Sequence, residues 1–347
     1  MNTSVEARTG SLIAGKFIAC LLITFLVLFC LVSALGFGPI NISYAEIISV
    51  ITGEASADPI HEQVLLDLRL PRLILAFFAG AGLSLAGAVL QTVTRNPLAD
   101  PYLFGISSGA SFGAVLVIAA GGASSMLSDA GLYDLGITAG AFIGSAVSVI
   151  LVISLSGMGA QIERMLLAGV AVSFMFSAAT SLVLYMADAQ AVASLIFWTM
   201  GSFSKAHWGA LWMPSLVILI CIAIFFANHR RLRVMLAGDE SATALGVDVK
   251  RLRISMLLLS SLLTATLVAN CGGIGFVGLM VPHIVRRLLE RRSKHVLTAC
   301  VLLGGCFMVW VDVLARTLID NNELPVGVIT AAIGSAFFLL VLRRRGW

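Results

Sequence analysis

The sequence predicts an all-α polytopic membrane protein of about ten transmembrane helices, and three observations carry that reading. Of 347 residues, 59% are hydrophobic and 12% charged, with a mean hydropathy of +1.02, far from the composition of a soluble domain. Apolar runs long enough to cross a bilayer recur along the chain, a hydrocarbon core of about 30 Å requiring roughly 20 residues of helix. The basic residues fall mostly on one side of those runs, the asymmetry that retention of Lys and Arg in the cytosol produces.

Taken in order, the spans are 17–35, 73–93, 103–121, 135–156, 165–186, 209–227, 254–270, 272–285, 296–315 and 325–342. The first follows Arg8 and Lys16, as a signal peptide core would. Its 19 apolar residues exceed such a core, and Ser33 to Gly38 offers only a weak cleavage site, so it is kept as a span. The third and fourth carry Gly105, Gly109, Gly113 and Gly136, Gly140, Gly144, a four-residue spacing of small residues that lets helices approach closely in lipid. Trp198, Trp208 and Trp212 stand where an interfacial aromatic belt is expected at the outer end of the sixth. The eighth is short and glycine-rich. An even number of spans with both termini cytosolic places eighteen of the 22 Lys and Arg residues inside, leaving Arg69, Arg72, Lys205 and Arg316 outside. The chain reads as one transmembrane domain, 1–347.

The segment 228–253 is the long charged interruption of the second half, and the topology puts it in the cytosol. Basic residues flank an island, Gly238 to Val247, in which Asp239 and Glu240 precede Ala242 and Leu245. Carboxylates ahead of apolar residues suit a short helix, since its N-terminus favours negative charge. Such a segment is either a solvated linker or a docking knob for a partner protein.

Several chemistries are excluded. Gly10 to Phe17 has phosphate-loop spacing but puts Phe17 where a magnesium-binding Ser or Thr belongs, and Gly273, Gly275 and Gly278 lie within an apolar span with no preceding strand. Five scattered histidines and six cysteines show no ligand spacing, so no metal site, cofactor or catalytic residue is expected. Polar groups inside the spans are few: Gln91, Asn270, and Asp312, which can pair with Arg316 along one helix face. Arg69, Arg72 and Arg316 mark the outer mouths of spans two and nine, either as lipid-headgroup anchors or as a basic rim for carboxylates of an extracytoplasmic partner.

Six strings then add a resemblance: Arg69 to Arg72 (RLPR), Asn96 to Pro101 (NPLADP), Gly105 to Ala110 (GISSGA), Gly238 to Val247 (GDESATALGV), Gly272 to Arg286 (GGIGFVGLMVPHIVR) and Glu323 to Thr330 (ELPVGVIT). Together, over about four-fifths of the chain, they resemble the permease subunits of ABC importers for iron siderophores, haem and vitamin B12, the FecCD type. The resemblance implies a type II ABC importer permease fold, a homodimer in the bacterial inner membrane, two cytosolic ATPase subunits carrying ATP and magnesium, and an extracytoplasmic substrate-binding protein. No nucleic acid partner is implied, and surrounding lipid is. It implies ATPase coupling through Gly238, Asp239, Glu240, Ala242, Leu245 and Gly246, binding-protein docking through Arg69, Arg72 and Arg316, and a cytosolic gate at Leu98 with a companion near Ile162. The fifth and tenth spans are implied to line the pathway. The substrate is a bulky metal chelate moved by alternating access, a ferric siderophore as the commonest case, with haem or vitamin B12 as alternatives and oxyanions such as molybdate carried less often. An ion-coupled secondary transporter is the reading from a different class; it calls for a series of intramembrane carboxylates, of which Asp312 is the one candidate.

Overall fold

Helix α4, Leu70–Thr94, is the axis of the molecule in this computed structural model, which describes residues 22–53, 58–122, 130–157, 162–289, 294–319 and 322–343. Ahead of it come α1 (Leu22–Gly36), α2 (Tyr44–Thr52) and α3 (Pro59–Gln63). Ser43 and Glu46 form a reciprocal capping box on α2, and Asp58 caps α3 through the amide of Ile60. A π-helical turn, Val64–Arg69, carries α3 into α4, whose second residue is Pro71, so that the three elements run as one continuous helix from Pro59 to Thr94. The phosphate-loop lookalike at 10–17 lies outside the described residues.

The remaining helices are α5 (Ile106–Gly122), α6 (Ala130–Ser156), α7 (Ile162–Met186), α8 (Ala189–Thr199), α9 (Trp208–Ala227), α10 (His229–Met235), α11 (Asp239–Ala244), α12 (Val249–Cys271), α13 (Val277–Leu288), α14 (Val296–Thr317) and α15 (Val326–Arg343). Among the described residues seven helices are long and apolar enough to cross a membrane. With α1, α5 and the short α13 they account for the ten predicted segments. Several features depart from the sequence reading, among them α2 and α3 between the first two spans and an eighth span that starts at Val277. Helix α8 stands between the fifth and sixth spans where no element was expected. The seventh span starts five residues early, at Val249. The segment 228–253 is largely helical, consisting of α10, α11 and the first turn of α12.

Burial sorts the spans into a core and a periphery. The most apolar stretch of the helix through α4 is 83% buried and that of α12 67%, whereas those of α7 and α15 are each 17% buried. Close approach makes this possible. A Cβ on Gly87 of α4 would collide with the Gly278 backbone of α13, so neither helix could sit where it does with a side chain there. The predicted glycine stripes of α5 and α6 face one another, Gly113 against Gly140 and Gly109 against Gly144. The G-x-G-x-x-G lookalike thus splits between the α12–α13 connection and this packing contact.

Candidate functional site: an anchored short helix, an arginine cluster and a hydroxyl-lined cavity

At one end of the bundle Gly238, at φ +110°, turns the chain from α10 into α11. Few side chains tolerate that conformation. Asp239, the first residue of α11, is gripped from two helices. Arg253 of α12 donates through Nη2 to both carboxylate oxygens at 2.9 and 3.0 Å, and through Nε to the Val93 carbonyl at 3.1 Å. Arg95, which ends α4 in the left-handed conformation, reaches the same carboxylate at 3.2 Å. Helix α11 is thereby tied to the ends of α4 and α12 at once. Ala242 is fully buried, while Leu245 is 69% exposed, with Glu240 and Gly246 exposed beside it. Of the six residues predicted to meet an ATPase, three therefore face outward, and Asp239 and Ala242 hold the element in place. Arg253 and Arg95 escaped sequence reasoning because a basic residue beside a membrane span already serves as a topology signal. A cavity of about 610 Å³ adjoins this element, lined by Met165, Thr243, Val247, Asp248, Arg253 and Ile254 among others.

Leu98 is 48% exposed and sits in an Asx turn, its amide donating to Asn96 Oδ1 at 2.9 Å. The Ile162 side chain lies outside the described residues. Two residues on, Asp100 is buried and caps the short 3₁₀ turn Pro101–Phe104 by accepting from the Tyr102 amide at 2.8 Å. Burial pushes its carboxyl up to about 6 against the opposing effect of that hydrogen bond.

At the opposite end the three predicted docking arginines converge, but largely inward. Arg69 is 5% exposed and donates to the carbonyls of Leu35 at 2.6 Å and Ile40 at 2.5 Å. Arg316 is 9% exposed and donates to the Ala34 carbonyl at 3.1 Å. Both therefore tie the end of α1 and the segment after it to the core. Arg72 pairs with Asp312 at 2.8 Å and with the more exposed Glu323 at 2.9 Å. The predicted Asp312–Arg316 pair forms at 3.5 Å, with Arg72 as the nearer partner. Gln91 is likewise committed, donating to the Gly278 carbonyl and accepting from Arg286.

Between α5, α7 and α8 lies a cavity of about 510 Å³. Helix α5 contributes Ser107, Ser108 and Ser111, and α7 contributes Ser173, Ser177, Thr180 and Ser181. The sequence signal was available in the four-residue steps from Ser173 to Ser181, which place those hydroxyls on one helix face. Among the described residues no group of His, Cys, Asp and Glu is arranged to hold a metal ion.

The family model described as the FecCD transport family matches residues 25–344. This chain belongs to the FecCD family. It is 36% identical over 330 residues to the hemin transport system permease protein HmuU of Yersinia pestis, covering 94% of this chain and 96% of that one. It is 34% identical over 315 residues to the iron(3+)-hydroxamate import system permease protein FhuG of Bacillus subtilis, covering 90% and 92%. A metal-chelate type ABC transporter solved in an inward-facing conformation matches with a TM-score of 0.80 at 33% identity over 93% of this chain and 97% of that one. The FecCD chain thus has the type II importer permease fold. It is a multi-pass membrane subunit of an ABC importer and not an enzyme, ATP hydrolysis residing on separate subunits.

Proposed function

We propose that two copies of this FecCD permease form the membrane pathway of an importer that carries a bulky ferric chelate from the periplasm to the cytosol. A siderophore is the leading substrate, with haem or vitamin B12 as alternatives. Both termini lie in the cytosol of a bacterial inner membrane, two ATPase subunits holding ATP and magnesium bind below, and a substrate-binding protein binds above. The second copy is supported by α7 and α15, whose sparse burial leaves Phe174, Leu182, Leu339 and Leu340 uncovered. Transport follows alternating access: closure of the ATPase pair moves the coupling helices, and the two halves rock to open one side at a time, with Leu98 at the cytosolic constriction.

One observation carries the reading. Helix α11 presents Leu245 outward while Arg95 and Arg253 fasten its base to α4 and α12, so a push on α11 is transmitted to the buried core instead of being absorbed by a loop. The experiment is co-purification from membranes. Leu245→Asp should strip the ATPase from the permease while the permease remains monodisperse; retained ATPase would refute the docking role.

Docking of the binding protein belongs to the other end. Arg72 is the contact residue best placed, because its partner Glu323 is partly exposed and can yield to a carboxylate from outside. Arg69 and Arg316 support it by fixing the surrounding backbone. Arg72→Gln should weaken binding-protein affinity about tenfold, the loss of a charge-assisted hydrogen bond, and leave the ATPase attached. Unchanged affinity in a titration with the purified binding protein would remove Arg72 from the docking surface.

A further inference from the structure

Two thiols meet where α1 packs on α14, and we infer that Cys30 and Cys306 are an oxidisable pair that reduces a lipid-soluble hydroperoxide and closes into a disulfide between the two helices.

The contact is built from several side chains. Cys306 and Trp310 stand four residues apart on α14 and so share one face of it. Trp310 donates its indole N–H to Cys30 Sγ at 3.0 Å, and the Cys306 thiol hydrogen-bonds the same Cys30 thiol. Farther along both helices Arg316 donates to the Ala34 carbonyl at 3.1 Å. The Phe37 ring meets Trp310 edge-on, with centroids 5.6 Å apart. Contacts on both sides therefore hold the two sulfurs together.

The pair also differs from the other thiols in access. Cys221, Cys271 and Cys300 are buried, whereas Cys30 and Cys306 are part-exposed. On the same α1, Phe25, Leu26 and Phe29 are exposed, so the approach to the pair is apolar and favours an oxidant that dissolves among acyl chains.

The surroundings divide the work between the sulfurs. An indole nitrogen can only donate, so Trp310 favours negative charge developing on Cys30, which makes Cys30 the nucleophile. Its sulfur attacks the terminal oxygen of R–O–OH, the O–O bond breaks, and the thiol proton leaves with the alkoxide as R–OH. Cys30 is then a sulfenic acid. The Cys306 sulfur attacks it, the S–S bond forms as the S–O bond breaks, and the hydroxide leaves with the Cys306 proton as water. Two thiols and one hydroperoxide thus give one disulfide, one alcohol and one water. The hydroperoxide gains the two electrons that the sulfurs lose. Both end states are uncharged, as an apolar setting requires.

The test treats the full-length permease in lipid nanodiscs with cumene hydroperoxide, then denatures it, alkylates it with N-ethylmaleimide and digests it for mass spectrometry. A peptide joining Cys30 to Cys306 should appear and be split by dithiothreitol, while Cys221, Cys271 and Cys300 stay alkylated. In Cys306→Ser the bridge should be absent and dimedone should trap a sulfenic acid on Cys30. Trp310→Phe should slow bridge formation about tenfold, as the loss of one hydrogen bond to the reacting sulfur would. Cys30 and Cys306 both alkylated after treatment, a bridge to another cysteine, no trapped sulfenic acid in Cys306→Ser, or an unchanged rate in Trp310→Phe would overturn the inference. The bridge in the unaltered protein needs no variant and is read even if a variant fails to fold.

Discussion

At the scale of single residues, Asp100 shows how the fold spends a charge. Its carboxylate is buried as a cap on the 3₁₀ turn, and burial raises its pKa from 3.8 to about 6. The folded state therefore holds the proton more tightly than the unfolded chain between those values. Stability from this group is greatest below about pH 4 and falls as the pH rises to about 6, where the folded group too loses its proton. The difference corresponds to about 3 kcal/mol. Asp100→Asn keeps an acceptor for the Tyr102 amide and removes the buried charge. Thermal unfolding in detergent should show a higher melting temperature than the parent at pH 7.5 and no gain at pH 4; a pH-independent difference would contradict the burial account. Asp239 is the contrasting case, a carboxylate held between two arginines that fasten α11. In the sequence Asp239, Ala242 and Leu245 looked alike as members of one recognisable string. Which of them faces outward depends on the packing of α10 and α12 around the island, and no local pattern encodes that.

At the scale of elements, legibility followed length and periodicity. The long apolar helices and the paired glycine stripes were readable because a bilayer sets the length and close packing sets the spacing. Helix α8, only eleven residues long, was not readable as a separate element, since a short apolar run between spans carries no distinguishing period. Nor was the inward turn of Arg69 and Arg316, because their partners are backbone carbonyls of α1 and the stretch after it, which have no signature in side-chain sequence. The hydroxyl face of α7 was not read in the sequence, because its spacing lines a common space only once α5 brings a second row of serines beside it. The stripes make a prediction of their own. At Gly113 an added methyl group would meet the Gly140 carbonyl, whereas at Gly136 its nearest neighbour is a Val117 methyl at 3.3 Å. Gly113→Ala should therefore destabilise by about 1–3 kcal/mol, as overpacking does, and Gly136→Ala by much less. Melting temperatures in detergent would compare them, and equal losses would mean that the helices can slide apart.

At the scale of the whole molecule, one helix organises the others. The arginine cluster joins α4 to α14 at one end, Arg95 and Arg253 join α4 to α11 and α12 at the other, and α13 packs against its middle through Gly87 and Gly278. Helix α11 is thus tied to the helix that the other members pack around, while α5, α7 and α8 border the hydroxyl-lined space beside it. The enclosure of α4 also bears on how the protein is made. Its buried Ser84 and Gln91 reach across to α14 and α13, and α12, the earliest of its three main neighbours, begins some 155 residues further along the chain. At ribosomal rates of about 5–20 residues per second, α4 enters the membrane roughly 8–30 s before the first of them is synthesised. Until then it has no lasting place, and a nascent chain stalled ahead of Val249 presents the quality-control machinery with a helix whose polar groups lack their final partners.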